Sequence, residues 1–382
     1  MIPYGRHNID EDDVQAVCTV LRSSWLTQGP TIEAFENALT RFTNAEHAVA
    51  VSSGTAGLHM VCLALGLGEG DYLWTTPNSF VASANCGLYC GAGVEFVDID
   101  PVTRNLCPDK LAAQLAQAKT ENILPKIIVA VHFAGLPCDL KRLRELADFY
   151  GIYLVEDGAH AIGSRYLDSP VGSGEYSDAT VFSFHPVKTL AAGEGGAVLT
   201  NDGQLAKRVR QLATHGVERA NDSWQQPASS PCYYEQQQLG FNYRLSDIHA
   251  ALGLSQLNKL DRFIDARRKI VARYNQAFEG LKLQLPVEPD GYHAAWHIYV
   301  VAFESAEKRN HCYQMLRDKG VLPNIHYIPI HQHPYYQSLP RHFGSQFIHA
   351  EQHYCRALTL PLFADLSERD QAQIIQWVRG AV

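Results

Sequence analysis

The sequence predicts an α/β protein with a mainly parallel sheet in a large domain, followed by a smaller α+β domain. Three observations lead to this prediction. Short apolar runs alternate with helical patterns between about residues 45 and 200. The runs are rich in Val, Ile and Ala and lack strict alternation, which is typical of strands covered on both faces. The length of 382 residues also exceeds that of one typical domain.

The first region begins with a predicted helix. An acidic first turn and apolar residues at i, i+3, i+4 and i+7 indicate this helix. These apolar residues are Val14, Val17, Cys18 and Leu21. The predicted strands are Ala48–Val51, Ile127–His132, Tyr153–Glu156, Thr180–Phe184 and Ala197–Thr200. Alternation of strands and helices over this length implies right-handed crossovers and a mainly parallel sheet.

A second region follows. A long helical pattern from Leu245 to Leu281 leads into a predicted strand, Trp296–Phe303. Two more helical patterns lie near residues 305–319 and 366–379. The order of these elements predicts a smaller α+β unit.

The boundary between the predicted domains lies where this long helical pattern starts. We expect a large domain of residues 1–244 and a smaller domain of residues 245–382. Just before the boundary, the segment Asn221–Tyr234 is rich in Ser, Gln and Pro, and it predicts a long loop.

Composition excludes several classes of protein. The formal net charge of −8 argues against binding to nucleic acid or a membrane surface, which needs a basic face. We expect no signal peptide and no membrane span, because no suitable apolar run is present. The nine cysteines lack CxxC pairs and predict reduced thiols in a cytoplasmic protein. Cys86 and Cys90, the closest pair, are interpreted as packing residues.

The first motif that is suited to binding a ligand is Ser52–Gly57, which lies between a predicted strand and a helix that starts near Ala56. Its glycines let the backbone approach a ligand, and a helix N-terminus offers free N–H groups to an anion. A plain strand–helix turn with a Ser or Thr cap is an equally good interpretation.

An acidic pair, Glu156–Asp157, stands at the end of another predicted strand. Ligands of parallel α/β sheets bind beyond the carboxyl ends of the strands. Lone carboxylates are rarely buried without a partner. The position therefore favours a carboxylate that partners a cofactor, with a capping residue or a Mg²⁺ ligand as alternatives.

Lys188 follows the predicted strand Thr180–Phe184 and leads into the glycine-rich turn Gly193–Gly196. Desolvation lowers the pKa of a lysine and frees its amine for Schiff-base chemistry. A surface lysine on a loop is the alternative. With Asp157 about thirty residues upstream and a possible phosphate cradle before that, the set is what pyridoxal phosphate requires.

Over nearly its whole length, the sequence resembles the sugar-nucleotide aminotransferases of the DegT/DnrJ/EryC/StrS family. The motifs that carry the resemblance are Trp25–Pro30, Ser53–Thr55, Glu156–Asp157 with His160, Ser183–Phe184 with Lys188, Gly193–Gly196, Asn242–Arg244, His326–Pro329 and Leu360–Pro361. The resemblance implies the aspartate-aminotransferase-like fold of fold-type-I enzymes, with pyridoxal phosphate as the cofactor.

Within the family, three segments are most similar to the transaminases of pseudaminic-acid biosynthesis. They are Pro3–Arg6, Thr75–Ala82 and Ser183–Lys188. The similarity implies a UDP-linked 4-keto-6-deoxy-N-acetylhexosamine as the substrate and L-glutamate as the amino donor.

The resemblance also implies roles around the cofactor ring. Lys188 would carry the cofactor as a Schiff base and shuttle a proton, and Asp157 would pair with the pyridinium nitrogen. His160, where many relatives have Gln, would donate to the phenolic oxygen. Phe80 would stack on the ring.

Other implied contacts involve the phosphates. Gly54, Thr55 and Ser183 would bind the phosphate of the cofactor. Asn242 would reach the phosphate of the neighbouring subunit's cofactor, so that a homodimer shares its active sites. Candidates for the sugar nucleotide are Tyr4, Arg6, Arg244, His326 and Tyr327.

The sequence also allows other interpretations. The nearest alternative is the same reaction on a different substrate, another nucleotide-linked keto sugar of the D-series 4-keto or the 3-keto type. A dehydratase of this family would have His in place of Lys188. A metal site at His326, His331 and His333 is disfavoured, since such spacing is common in loops. A nicotinamide oxidoreductase lacks its GxGxxG motif here.

Overall fold

The computed structural model describes residues 1–219, 223–340, 343 and 346–382. The helices in these residues are α1 Glu11–Leu21, α2 Pro30–Thr43, α3 Gly54–Ala64, α4 Ala82–Tyr89, α5 Pro108–Glu121, α6 Leu140–Tyr150, α7 Gly203–Ala213, α8 Asp247–Leu257, α9 Leu260–Phe278, α10 Ala306–Asp318, α11 Pro334–Gln337, α12 Ile348–Arg356 and α13 Glu368–Ala381. None of them is both long enough and apolar enough to cross a membrane.

The strands in the same residues are β1 Ile2–Pro3, β2 His47–Val51, β3 Tyr72–Thr75, β4 Gly93–Phe96, β5 Ile127–Val131, β6 Tyr153–Asp157, β7 Arg165–Tyr166, β8 Ser169–Pro170, β9 Ala179–Ser183, β10 Gly196–Thr200, β11 Val217–Glu218, β12 Glu235–Gln236, β13 Leu283–Gln284, β14 Tyr292–His293, β15 Tyr299–Phe303, β16 Val321–Leu322 and β17 Ala357–Leu360.

A seven-stranded sheet forms the centre of the molecule, in the order β2-β10-β9-β6-β5-β3-β4. Its strands are parallel except β10, which runs antiparallel to both β2 and β9. The predicted mainly parallel α/β sheet is therefore confirmed. Every residue of β5 and of β10 is buried, as the continuous apolar runs predict.

The two faces of this sheet pack against different helices. Val181 and Val198 point to one face, where α3 covers them, and a Cβ at Gly57 would lie 2.7 Å from Cγ1 of Val181. Phe182 and Leu199 point to the other face, where they join the core formed with α2. The alternation follows from the two-residue period of a strand. The absence of a side chain at Gly57 is what lets α3 lie so close to the sheet.

The long helical pattern from Leu245 to Leu281 is two helices, α8 and α9, which are separated by Asn258 and Lys259. Helix α8 packs on α1 and α2, and its Ala250 belongs to the core of the large sheet. The proposed division into residues 1–244 and 245–382 stays a prediction.

The C-terminal region has a sheet of its own, in the order β13-β15-β17. Helices α9, α10 and α13 contribute to its core. The predicted strand Trp296–Phe303 begins later, at Tyr299. The chain's first strand, β1, pairs with β16 of this region. In the predicted loop Asn221–Tyr234, residues 221 and 222 lie outside the described residues, and residues 224–234 form neither helix nor strand.

Candidate active site

A cavity of about 530 Å³ lies where β6 and β9 end and α3 begins. Most of the site residues predicted from the sequence line it, namely Tyr4, Gly54, Thr55, Phe80, Asp157, His160, Ser183, Lys188, His326 and Tyr327. They come from distant parts of the chain, and the parallel sheet brings them together at the carboxyl ends of its strands.

Asp157 is the last residue of β6, and its side chain is held in a fixed orientation. Oδ2 accepts a hydrogen bond from Oγ of Ser83 at 2.6 Å, and Oδ1 accepts one from the backbone N–H of Ala159 at 3.1 Å. The hydroxyl of Ser79 lies 2.7 Å from that of Ser83 and extends the network. The sequence interpretation missed Ser79 and Ser83, although both lie in the segment Thr75–Ala82 or directly after it.

Lys188 lies in the loop between β9 and β10. Its side chain borders the cavity and is partly exposed to it. Desolvation by the surrounding protein lowers the pKa of Lys188 to about 8, against the carboxylate of Asp157, which raises it. A substantial fraction of neutral amine near neutral pH is what a nucleophilic lysine requires.

The start of α3 forms a cradle of backbone N–H groups. Ser53 caps the helix, and its Oγ accepts from the N–H of Ala56 at 3.0 Å. A Cβ at Gly54 would lie 2.9 Å from Cβ of Ser183, and one at Gly196 would lie 2.5 Å from the backbone carbon of Ser53. Side chains at these glycines would collide with Ser183 and with the backbone of Ser53, so only glycine lets α3 start this close to β9 and β10. Ser53, Gly54 and Thr55 line the cavity at the start of the helix, and free N–H groups at a helix N-terminus fit a phosphate group.

His160 is buried against the cavity wall. Its Nε2 lies 3.1 Å from the hydroxyl of Tyr327, and its ring centroid lies 4.4 Å from that of His297. Its Nδ1 is buried and has no hydrogen-bond partner among the described residues. Burial, and then the charge of Lys188, hold the pKa of His160 well below its usual range, so the ring is neutral. The free Nδ1 fits a polar atom of a bound cofactor.

His326 and Tyr4 form the wall next to Lys188. Nδ1 of His326 lies 2.8 Å from Oγ1 of Thr359, and the rings of His326 and Tyr4 are 5.1 Å apart. Burial and the charge of Lys188 lower the pKa of His326 to about 3. Phe80, which is 61% exposed, stands at the mouth of the cavity.

Three predicted site residues lie away from this cavity in the same chain. Asn242 is exposed and pairs with Thr214 through an isolated bridge. Arg244 lines a different cavity, of about 650 Å³. The guanidinium of Arg6 lies 5.9 Å from the ring centroid of Phe363.

A second carboxylate, that of Glu156, is buried behind the cavity. It accepts hydrogen bonds from Ser177 and Thr180, and Nε2 of His132 lies 2.7 Å away. Burial raises the pKa of Glu156, but the hydrogen bonds from these three groups hold it below its usual range. The sequence interpretation placed His132 at a strand end and did not connect it with the site.

The charge of His132 is decided by its second nitrogen. Burial favours the neutral form of His132, while contacts with Cys138 and Glu156 act in the other direction and raise its pKa. However, the backbone N–H of Cys138 donates to Nδ1 at 3.1 Å, and only a ring without a proton on Nδ1 can accept it. We conclude that His132 is neutral and donates from Nε2 to Glu156.

Comparison with known proteins agrees with this site. The model of the DegT/DnrJ/EryC1/StrS aminotransferase family matches residues 7–379. The chain is 37% identical over 388 residues to the spore coat polysaccharide biosynthesis protein SpsC of Bacillus subtilis, covering 100% of this chain and 97% of that protein.

Solved structures agree as well. The putative sugar aminotransferase Spr1654 from Streptococcus pneumoniae, in its PMP form, superposes with a TM-score of 0.90 at 29% identity, covering 100% of this chain and 99% of that one. Spr1654 is also known in a PLP form. PseC from Helicobacter pylori, an aminotransferase involved in the biosynthesis of pseudoaminic acid, gives a TM-score of 0.89 at 29% identity, with coverage of 100% and 98%.

The fold, the cavity and these relatives define the class of protein, a pyridoxal-phosphate-dependent sugar aminotransferase. More narrowly, the chain belongs to the DegT/DnrJ/EryC1/StrS aminotransferase family. The family expectation drawn from the sequence motifs is thereby confirmed.

Proposed function

We propose that this aminotransferase moves an amino group from L-glutamate to C4 of a UDP-linked 4-keto-6-deoxy-N-acetylhexosamine. The product would be UDP-4-amino-4,6-dideoxy-N-acetyl-β-L-altrosamine, an intermediate for pseudaminic acid. The observation that carries the chemistry is the desolvated amine of Lys188, which lines the same cavity as the carboxylate of Asp157. The sugar is supported by the likeness to PseC, which is involved in pseudoaminic acid biosynthesis.

The residues of the cavity would divide the work of holding the cofactor. Lys188 would hold its aldehyde carbon, and Asp157 would pair with its ring nitrogen. Gly54, Thr55 and Ser183 would hold its phosphate at the start of α3. When bound, pyridoxal phosphate supplies an electron sink for the carbon that exchanges its amino group.

Proton handling would fall to the chain's own groups. With a pKa of about 8, Nζ of Lys188 can accept a proton and return it near neutral pH. The neutral ring of His160, fixed by Tyr327, would orient the cofactor through Nδ1. Ser83 holds the Asp157 carboxylate in a fixed orientation, from which it would pair with the ring nitrogen.

We also propose a homodimer in which each active site draws on both chains. Asn242 is exposed and lies outside its own chain's cavity, which is consistent with service to a neighbour. Apolar side chains near α1 are exposed as well, and they would be covered by a partner. They are Val14, Leu21, Trp25 and Leu26.

A second candidate is the same reaction on another nucleotide-linked keto sugar, of the D-series 4-keto or the 3-keto type. This candidate is supported by the 37% identity to SpsC, because SpsC is named for the biosynthesis of a polysaccharide, that of the spore coat. Tyr4, His326 and Tyr327 line the cavity and are the candidates for contact with the sugar in either case. Arg6 and Arg244 would serve the nucleotide only if the neighbouring chain brings them near.

The deciding experiment offers a panel of UDP-linked and other keto sugars to the enzyme in its aminated cofactor form. Loss of the aminated form is followed by absorbance, and the product is identified by NMR. We expect the UDP-linked L-series 4-keto sugar to react fastest. Faster reaction with a 3-keto or D-series sugar would assign the second candidate.

A further inference from the structure

Two side chains from the C-terminal region contact the ring of His160. The hydroxyl of Tyr327, in the segment between β16 and α11, lies 3.1 Å from Nε2 of His160, and the two ring planes are inclined by 18°. The ring of His297, just before β15, lies 4.4 Å from that of His160, centroid to centroid. The position of the His160 ring is therefore set by residues that are far away in the sequence.

The backbone around this contact is held on several sides. The N–H of His297 donates to the backbone oxygen of Ala134 at 2.9 Å, and the carbonyl of His297 accepts from the buried guanidinium of Arg267 at 3.1 Å. Gly135 lies between the two histidines, since a Cβ there would be 2.8 Å from the backbone oxygen of His160 and 3.3 Å from the backbone nitrogen of His297. Because these segments pack so closely, the two nitrogens of the His160 ring keep defined directions.

The hydrogen bond between Tyr327 and His160 can run in two directions. If the hydroxyl donates, Nε2 is the acceptor, and the single proton of the neutral ring is on Nδ1; if Nε2 donates, Nδ1 has a lone pair instead. A phenol hydroxyl, with a pKa of about 10, is a good donor, and a neutral imidazole nitrogen is a better acceptor than a phenol oxygen. The hydroxyl also has no other hydrogen-bond partner among the described residues. Both points favour the hydroxyl as the donor.

We propose that Tyr327 is a positioning residue that places the ring proton of His160 on Nδ1, so that the site recognises the phenolic oxygen of pyridoxal phosphate. The inference rests on the proposed function, in which His160 faces the cofactor. Nδ1 is buried and has no partner among the described residues, so its N–H is a donor that is left for a ligand. A deprotonated phenolic oxygen is an acceptor and pairs with such a donor. A lone pair on Nδ1 would repel it.

The same assignment limits what Tyr327 can do for the sugar. Its single hydroxyl proton is used on His160, so its oxygen can accept a hydrogen bond from the sugar but cannot donate one. A sugar hydroxyl or an amide N–H therefore fits next to Tyr327, whereas a keto oxygen gains no hydrogen bond from it.

The first test compares pyridoxal phosphate with 3-deoxypyridoxal phosphate, which lacks the phenolic oxygen. Each compound is titrated into the complete enzyme free of cofactor, unaltered or as the Tyr327→Phe variant, which keeps the ring and loses the hydroxyl. We expect the variant to bind pyridoxal phosphate about threefold to tenfold more weakly and to bind the analogue as the unaltered enzyme does.

Tyr4→Phe is the matched control for this titration. Tyr4 lines the same cavity, but its ring contacts His326 and not His160, so any effect should be the same for both compounds. An equal loss of affinity for both compounds in Tyr327→Phe would show that Tyr327 has only a structural role. Unchanged affinity for both would overturn the proposal as well.

A second measurement needs no cofactor. Nitrogen NMR of the complete enzyme with isotope-labelled histidines reports which ring nitrogen carries the proton, and the His160→Gln variant assigns the signals. We expect a proton on Nδ1 of His160 in the unaltered protein and a shift of this proton toward Nε2 in Tyr327→Phe. A proton on Nε2 in the unaltered protein, or an unchanged ring in Tyr327→Phe, would contradict the proposal. If pyridoxal phosphate did not bind the unaltered enzyme at all, the proposed function would fail, and this measurement would still decide where the proton lies.

Discussion

The reactivity of Lys188 comes from its surroundings. A lysine in water, with a pKa near 10.4, has roughly one neutral amine in 2,500 at pH 7. At the pKa of about 8 that enclosure produces, roughly one in ten is neutral. Enclosure therefore raises the supply of nucleophilic amine by more than two orders of magnitude at the same pH.

The rate at which the enzyme free of cofactor takes up pyridoxal phosphate should report this pKa. Only the neutral amine attacks an aldehyde, so the rate should rise about tenfold per pH unit below 8 and level off above it. Absorbance follows the uptake, and a simple alkylamine serves as the control for titration of the aldehyde itself. A rate that still climbs between pH 9 and 10 would contradict an enclosed Lys188.

The identity of the lysine can be tested directly. The loaded enzyme should be yellow, and borohydride should bleach it and fix the cofactor on Lys188. Peptide mapping locates the reduced adduct, and the Lys188→Arg variant should give none. An adduct on another lysine would reassign the role.

We expect a substitution of Asp157 to affect transamination much more than cofactor binding. Asp157→Asn keeps the size of the side chain but removes the charge that holds a proton on the ring nitrogen. Cofactor should remain bound, while the barrier to transamination should rise by roughly 3–5 kcal/mol. Ser83→Ala leaves the carboxylate but removes one of its donors, and should cost only about 1 kcal/mol. Near-normal turnover of Asp157→Asn would show that another residue pairs with the ring nitrogen of the cofactor.

At the scale of elements, two glycines allow α3, β9 and β10 to meet. Gly54 lies against Ser183, and Gly196 lies against the backbone of Ser53. Each contact is closer than any side chain allows. The phosphate cradle therefore depends on packing between elements as much as on its own hydrogen-bond donors.

Gly54→Ala should weaken cofactor binding tenfold or more, because the new methyl group must displace Ser183 at a cost of about 1–3 kcal/mol. Gly68→Ala is the matched control, since a Cβ there meets nothing within 4 Å. Titration of each apo-protein with pyridoxal phosphate gives the dissociation constants. Equal affinities in the two variants would show that the cradle tolerates the displacement.

Sequence patterns predicted strands better than their directions. Continuous apolar runs marked β5, β6, β9 and β10, but such runs look the same in parallel and antiparallel strands, so the reversal of β10 was not foreseen. The break between α8 and α9 was missed for a related reason. Asn258 and Lys259 contain no Gly or Pro, and the helical period continues on either side.

The candidate site shows a similar limit. Asp157 and Lys188 were found because they follow apolar runs, where ligands of such sheets bind. Ser83 and His132 were not found, since their partners are far away in sequence and only the packed structure brings them together. The apolar face predicted for α1 is largely open, with Val14 at 46% and Leu21 at 54% exposure.

At the scale of the whole molecule, the proposed dimer makes a sharp prediction. Lys188→Ala and Asn242→Ala should each be impaired alone, and mixing the two chains should restore activity. In a mixed dimer, one of the two sites receives Lys188 from one chain and Asn242 from the other. Activity should approach a quarter of that of the unaltered enzyme if exchange is random, about half the dimers being mixed with one intact site each.

Subunit exchange must be verified independently, for example with tagged chains. If mixed dimers form and no activity returns, Asn242 serves the site of its own chain or no site at all. A monomer at working concentrations would reject the shared site altogether.

The reversal of β10 has a consequence for how the enzyme could be re-engineered. Because Ser183 and Gly196 are paired neighbours, the segment that carries Lys188 leaves the sheet and returns to it at one place. It behaves as a cassette whose two ends are fixed by a single strand pair. Loops of other lengths could be grafted between these ends without rerouting a crossover helix, so the surroundings of the lysine can change while the strand order stays the same.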